Sequence, residues 1–553
     1  MATSTNSDQP TTLLTRLRNA SDIETPPFVM LAMSSARSCR FGVTLLGLWL
    51  LALLLALIQL GAVPLRDWDE GIVARVALEL SQRPWPDWLL PTYLGSPYLN
   101  KPPGMHLLIA FLIRLWHQAT GPNLTLPPEW LIRLAPAVAS SLLLPLLALV
   151  QRRLRPAEPR AALATAVICL TLLPLVRHGR LAMLDGSQLS AMALVWLGLL
   201  LADRSSRASL NGGVWAGLGG SALLLLKAPV APVTLAVALL LRWLDRDLDR
   251  RAWTLLLGGL VIGLLPGLAW HGWSWWVRGN DALVMWGPQG IARFTSTLEN
   301  HAGGPLVPLM QILQGGWPWL PLWPGSLMLA WRQRRQRAGR WALGLTLASL
   351  LMVFPVATQL PWYSLLIWPP FAITCGPKLA QLWPKTTDSN AAAARGDRRI
   401  GWIWLGLGVV MLAGTAISFS GLASNLSPLR WLLLAAGLAL IAGSGLGLAS
   451  PGSFWRRWAG TALVCGWCTA LALLMASPLW NWELNEQPPL DRRLLAGRLL
   501  PGEWDVTDAK NMQRPSYVWY SNAAQGQLEA MMKPPEAGAK AGKTPGDITR
   551  DEP

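Results

Sequence analysis

Charge is what this sequence has least of. Only 14% of its 553 residues are Asp, Glu, Lys or Arg, against 52% hydrophobic, too little charge to cover the surface of a soluble protein of that length. Cysteine is scarce as well, with five in the chain. The one C-x-x-C, Cys465 with Cys468, lies inside an apolar stretch, where small packing residues account for it better than redox chemistry. His106, His117, His178 and His271 lack metal-ligand spacing with any nearby Cys, His or Asp and read as structural. No repeat of solenoid period is visible.

Negative charge is the scarcer sign, 30 Asp and Glu against 47 Lys and Arg, for a net charge of +17. In a soluble domain that excess suggests a nucleic-acid partner. Here the basic residues sit in short loops between apolar blocks, the positive-inside pattern, so the partner is the lipid bilayer and no nucleic acid is expected. The blocks run roughly 17 to 25 residues, the length that carries a helix across about 30 Å of hydrocarbon. Lipid forbids open strands, which makes the predicted class an all-α integral membrane protein. The 33 Trp, many near block ends, suit the aromatic belts at headgroup level. The first block, Phe41 to Val63, is too long for a signal-peptide core and no small-residue cleavage site follows it, so it reads as a retained span.

Basic clusters mark the cytoplasmic ends of the spans: Arg152 to Arg160, Arg204 to Arg207, Arg242 to Arg251, Arg332 to Arg340, Lys385 to Arg399, and Arg456 with Arg457. They alternate correctly only if the block from Pro103 to His117 does not fully cross and the block from Gly212 to Leu241 is a two-helix hairpin. Pro229 and Pro232, just after Lys227, interrupt a continuous helix there. About thirteen transmembrane helices result. Residues 1–40 are then an expected cytoplasmic, disordered N-terminus, and 41–385 a catalytic transmembrane module with outer loops 64–102 and 276–308. A cytoplasmic linker, 386–400, leads to C-terminal transmembrane helices, 401–478, and a periplasmic tail, 479–553, disordered at its end by composition. Gly259, Gly263 and Gly267, and Gly443 with Gly447, have the spacing of small-residue helix contacts.

This topology gathers ionisable residues on one face, and such residues at a membrane boundary are costly enough to suggest function. The outer loops hold Arg66, Asp67, Asp69, Glu70 and Arg75, then Lys101, then Arg180 and Asp185, Lys227 at the hairpin turn, Arg293, His301 and Tyr363. Carboxylates with cations suit the transfer of a sugar from a phosphate to a hydroxyl. A positioned carboxylate base helps a poor hydroxyl nucleophile by roughly 10² to 10⁴ in rate. Lys and Arg aimed at a departing phosphate stabilise charge that develops in the transition state. Each residue also has a plainer reading. Asp69 fits a solvated loop carboxylate, Lys101 a snorkelling anchor, Asp185 a salt-bridge partner of Arg180, and Tyr363 a belt aromatic.

The segments D-W-D-E-G-I-V-A-R-V-A, Y-L-N-K-P-P-G-M-H-L-L, G-R-L-A-M-L-D, L-L-K-A-P-V-A, I-A-R-F followed by His301, W-P-W and L-P-W-Y-S-L-L-I-W-P-P occur here in one order. That ordered set resembles the ArnT-like and protein O-mannosyltransferase-like glycosyltransferases of the GT-C superfamily, which use polyprenyl-phosphate sugars. The resemblance runs from about Leu57 to Phe371. It implies a GT-C fold whose outer first loop carries short juxtamembrane helices. Asp69 is implied at the reaction centre with Glu70 as its motif neighbour and Asp185 as a further catalytic position. Lys101, Lys227 and Arg293 are implied to hold the donor phosphate, with Arg66, Arg180, His301 and Tyr363 lining the cavity. Two positions depart from the pattern. Asn100 stands where Glu often precedes the K-P lysine, so no cofactor is certain and a divalent metal stays open, its ligands unknown. Gln359 stands where Lys commonly precedes L-P-x-Y.

The predicted function is an inverting membrane glycosyltransferase of the plasma membrane, moving a sugar from an undecaprenyl-type monophosphate to a hydroxyl or phosphate of a lipid, glycan or protein acceptor on the periplasmic face. A transporter or flippase of lipid-linked glycans also needs many spans and intramembrane cations, but tends to place its site at the midplane between repeats. A ligase using a pyrophosphate-linked oligosaccharide is a further alternative.

Overall fold

The computed structural model describes residues 27–66, 68–85, 87–120, 127–297, 304–383, 395–450 and 453–481, with Pro515 and Trp519. Asp67 and His301, both singled out in the sequence, lie outside the described residues, as do most of the expected linker and tail.

Helix α1 runs Pro27–Leu57. It begins well before the expected boundary near Phe41, while its apolar portion is Cys39–Leu57. The segment after α1 then builds a small platform. Helix α2 (Asp69–Ser81) is followed by an antiparallel strand pair, β1 (Thr92–Tyr93) with β2 (Ser96–Pro97), and helix α3 (Gly104–Thr120). This two-stranded pair is the exception, among the described residues, to the all-helical expectation.

The bundle proper continues with α4 (Glu129–Ser141), α5 (Leu143–Leu154), α6 (Pro159–Thr171) and α7 (Leu173–Gly179), then α8 (Asp185–Leu201). Helices α9 (Ser206–Lys227) and α10 (Val230–Leu244) form the hairpin expected from the prolines, with Lys227 at its tip. Next come α11 (Arg250–Arg278), α12 (Leu306–Gly315), α13 (Trp323–Arg332), α14 (Arg337–Val353) and α15 (Trp368–Leu382). The chain closes with α16 (Arg395–Ser420), α17 (Arg430–Leu448) and α18 (Phe454–Ala476). Among the described residues 7 helices are long and apolar enough to cross a membrane, or 8 if the pair α6 and α7, bent by 61°, counts as one span.

Small residues let the helices approach. A Cβ on Gly217 would meet Gly263 Cα at 2.7 Å, and one on Gly267 would meet Ser221 Cα at 3.0 Å, so α9 and α11 pack backbone to backbone. Gly443 packs on Leu463 and Gly447 on Gly401. The W-P-W motif is structural: Trp319 is fully buried, donates to Thr171 Oγ1 at 2.7 Å and stacks edge-on against Trp404 of α16. Trp467 of α18 donates to Thr171 O at 3.1 Å, so the C-terminal helices dock on the preceding bundle.

Three of the basic loops meet. Asp245 takes Arg337 at 3.0 Å and Arg340 at 2.7 Å, Arg242 and Arg337 both meet Asp247, and Arg155 reaches Gln333. Among the described residues, the ion pairs of these loops involve none of Asp69, Lys101, Asp185, Lys227 or Arg293.

Candidate active site

Asp69 opens α2. The residue before it, Trp68, has φ +61° and ψ −81°, a sparsely populated positive-φ conformation that costs a non-glycine residue about 1–3 kcal/mol. Such a turn persists only where its surroundings hold it. The hold comes from Glu70. Its carboxylate is wholly buried and paired with Arg133 of α4 at 2.7 Å. It also accepts the N–H of Arg66 at 3.0 Å and of Ala182 at 2.7 Å. Burial alone would raise the Glu70 pKa, but the Arg133 charge and these donors bring it below the ordinary value.

Neighbouring helical residues point about 100° apart, so the side chains of Asp69 and Glu70 cannot share a face. Asp69 is half-buried on the other side. Its pKa is raised to about 6, first by loss of water and then by the like charge of Asp185, against the pull of Lys101, Lys227 and Arg293. One carboxylate therefore feels charged groups from four other segments.

Each of those groups is placed by its own local chemistry. Lys101 follows the β1–β2 turn, which is clamped by buried Glu79: this carboxylate accepts Thr92 Oγ1 at 2.7 Å and Leu94 N at 2.8 Å, and pairs with Arg75 at 3.0 Å. After the lysine, Gly104 lets the start of α3 meet the end of α9, since a Cβ there would lie 2.6 Å from Leu225 O. That approach brings Lys101 to Lys227. Burial and the second lysine lower the Lys101 pKa to about 8. Asp185, the first residue of α8, pairs with Lys227 at 2.7 Å, not with Arg180. Lys227 Nζ also sits 5.0 Å from the ring centroid of Tyr363. Arg293 donates to Tyr363 Oη at 3.3 Å, and its loop is tied down by Thr358, whose N–H donates to Arg293 O at 3.1 Å.

The structure thus brings together Asp69, Asp185, Lys101, Lys227, Arg293 and Tyr363. It places three other expected residues elsewhere. Glu70, expected as catalytic, is engaged with Arg133 because its helical phase turns it inward. Arg66 and Arg180, expected to line the cavity, direct their guanidinium groups to Asn481 and to the carbonyls of Met475 and Ile58. Gln359 donates to Val353 O and Val356 O, holding a turn. Arg133 went unnoticed in the sequence, although a charge inside an apolar span was a usable signal.

Beside the cluster opens a cavity of about 380 Å³ lined by Trp68, Ile72, Tyr93, Tyr98, Asn100 and Pro515, so the residues flanking Asp69 and Lys101 form its wall. Tyr98 lies near enough to Asp69 for the carboxylate to raise its pKa, after burial has done so. Among the described residues no group of three or more His, Cys, Asp or Glu could hold a metal ion. Asn100 offers only a neutral amide next to Lys101.

No family model matches the chain. It is 27% identical over 492 residues to the undecaprenyl phosphate-alpha-4-amino-4-deoxy-L-arabinose arabinosyl transferase 1 of Sodalis glossinidius (strain morsitans), covering 82% of this chain and 76% of that protein. To the enzyme of the same name without the numeral from Pseudomonas aeruginosa (strain UCBPP-PA14) it is 30% identical over 421 residues, 73% of this chain and 70% of that one. Among solved structures, ArnT from Cupriavidus metallidurans bound to undecaprenyl phosphate superposes with a TM-score of 0.58 at 20% identity, covering 80% of this chain and 78% of that chain. That likeness shows a shared fold.

Proposed function

The chain belongs to the family of undecaprenyl phosphate-alpha-4-amino-4-deoxy-L-arabinose arabinosyl transferases, and on that premise we propose that Asp69 and its cationic neighbours transfer a sugar from undecaprenyl phosphate to an acceptor hydroxyl. It is a membrane glycosyltransferase, multi-pass in the plasma membrane. Its acceptor is a lipid, a glycan or a protein, and 4-amino-4-deoxy-L-arabinose is the first donor sugar to test.

The observation that carries this reading is the placement of one half-buried carboxylate, Asp69, among Lys101, Lys227 and Arg293. A carboxylate with a pKa near 6 is a better base than an ordinary one and still ionised at neutral pH. In the step proposed, Asp69 takes the proton of the acceptor hydroxyl as its oxygen attacks the anomeric carbon. The bond from that carbon to the phosphate oxygen breaks on the opposite side, so the anomeric centre inverts. Undecaprenyl phosphate leaves with the bonding electrons, and Lys101, Lys227 and Arg293 hold the charge it gains. Arg293 supplies a planar fork and the lysines point charges. Asp185 orients Lys227, and Tyr363 orients both Lys227 and Arg293. Glu70, Arg66 and Arg180 serve as scaffold.

The proposed topology has thirteen spans, with the N-terminus cytoplasmic, residues 41–385 forming the catalytic module, and the site and C-terminal tail periplasmic. Separation of the basic loops around Asp245 from the Asp69 cluster supports it. A lipid-borne donor suits an outer site, where nucleotide sugars are absent. The test is purified protein in lipid, supplied with labelled polyprenyl-phosphate sugars and membrane extract. Transfer from a monophosphate donor is expected. Use of pyrophosphate-linked oligosaccharide alone would favour a ligase, and movement of lipid without transfer a flippase.

A further inference from the structure

The exit of the last span is bound into the first outer loop. Trp480 and Asn481 belong to a short turn, Pro478–Asn481, that follows α18, and they are only 0% and 8% exposed. Arg66 Nη1 donates to Asn481 Oδ1 at 2.6 Å, and Arg177 Nε donates to Trp480 O at 2.7 Å. The guanidinium of Arg180 lies 4.4 Å from the centroid of the Trp480 ring and that of Arg133 lies 5.3 Å away. An indole face attracts cations, most strongly where water is excluded.

These arginines also reach the residues beside both carboxylates of the site. The Arg66 N–H and the Arg133 guanidinium close on Glu70, next to Asp69. Arg180 lies on the segment whose Ala182 N–H completes the Glu70 network and which ends at Asp185. Arg133 further binds Leu60 O, Val63 O and Pro64 O. The loop carrying Asp69, the segment carrying Asp185 and the end of α18 therefore share one buried network.

We propose that Trp480 is a positioning residue for sugar transfer: its ring, with the Asn481 amide, clamps the loop of Asp69 to the segment of Asp185, so that the last span helps set the geometry of the acceptor side. The proposal rests on the reading of Asp69 as the base. The network does not include Lys101, Lys227 or Arg293 and meets the donor side only through the Asp185–Lys227 pair, so base placement is disturbed far more than donor binding. The groups facing Asp69 are Asp185, Lys101, Lys227, Arg293 and Tyr98. Slackening the loop lets water reach Asp69, which lowers its proton affinity toward that of an ordinary carboxylate.

The experiment compares Trp480→Ala and Trp480→Phe with wild-type full-length protein in liposomes, measuring kcat per folded molecule, donor KM and the pH profile, with undecaprenyl phosphate-linked 4-amino-4-deoxy-L-arabinose as donor. Trp480→Ala is expected to lower kcat by about ten- to a hundredfold, the scale of a misplaced catalytic group. Donor KM stays within about twofold and the acid limb of the profile moves to lower pH. Trp480→Phe, which keeps an aromatic face, restores most of the rate. Unchanged kcat and acid limb in Trp480→Ala, or equal defects in both variants, would overturn the proposal. If Trp480→Ala yields no folded protein, Asn481→Ala, which removes only the Oδ1 acceptor from Arg66, is read in the same way, and an unchanged kcat and acid limb there overturn it as well. Asp69→Asn runs in parallel. Transfer surviving that change sinks the base assignment, whereas its loss beside an unaffected Trp480→Ala sinks the positioning proposal alone.

Discussion

The rate of transfer should follow a bell-shaped curve in pH. Asp69 must be ionised to accept a proton, so activity is lost as pH falls through its raised pKa of about 6. Lys101 must be protonated to hold phosphate, so activity is lost as pH rises through its depressed value of about 8. With those values about nine-tenths of each group is in its working form at pH 7, and about four-fifths of the molecules are competent. At pH 5 only about a tenth carry the ionised carboxylate, and at pH 9 only about a tenth the charged lysine. The assay is kcat/KM for labelled donor in liposomes, buffered from pH 4.5 to 9.5, since that ratio reports groups of the free enzyme. Lys101→Arg separates the limbs, because a guanidinium stays charged throughout and the alkaline fall should vanish. A rate equal at pH 5 and pH 7, or an acid limb centred near an ordinary carboxylate value, would refute the reasoning.

Other perturbations separate scaffold from chemistry. Glu70→Gln replaces the carboxylate of the buried Arg133–Glu70 pair by a neutral amide, which should cost about 3–5 kcal/mol and appear as a lower midpoint in thermal unfolding. Lys227→Met should weaken donor binding and also free Asp185, so titration with undecaprenyl phosphate is expected to show a Kd at least about tenfold higher. Gly104→Val should push α3 from Leu225 and part Lys101 from Lys227, raising donor KM with a smaller effect on the melting midpoint. Gly217→Leu inserts a side chain where α9 and α11 touch and should sharply reduce the yield of folded protein, measured by monodispersity on gel filtration.

The helical hairpin was legible because Pro229, Pro232 and Lys227 break an apolar run in a way few other structures tolerate. The convergence of Asp69, Lys101, Asp185, Lys227, Arg293 and Tyr363 was legible because each lies in a loop or at a helix end that the alternation of basic loops assigns to the same group. Which of two adjacent acids faces the cavity was not legible. Asp69 and Glu70 differ only in helical phase, and the partner that claims Glu70, Arg133, lies in another span. Arg66 and Arg180 looked the same in sequence as the cavity cations, because their partners come from a turn hundreds of residues away. Trp480 resembled any tryptophan at a membrane boundary. The helical start at Pro27 was missed because Ser34, Ser35, Arg37, Ser38 and Arg40 separate its short apolar opening from the long apolar run that marks the span.

The most direct test of the account is whether the Asp69 cluster performs transfer on bound donor. Wild-type protein and Asp69→Asn in liposomes are given undecaprenyl phosphate-linked sugar labelled in both halves, and bound donor, released undecaprenyl phosphate and labelled acceptor are counted. The expected result is equal release and transfer by wild type, with Asp69→Asn binding donor normally but turning over roughly 10² to 10⁴ more slowly. Turnover by Asp69→Asn at the wild-type rate would contradict it.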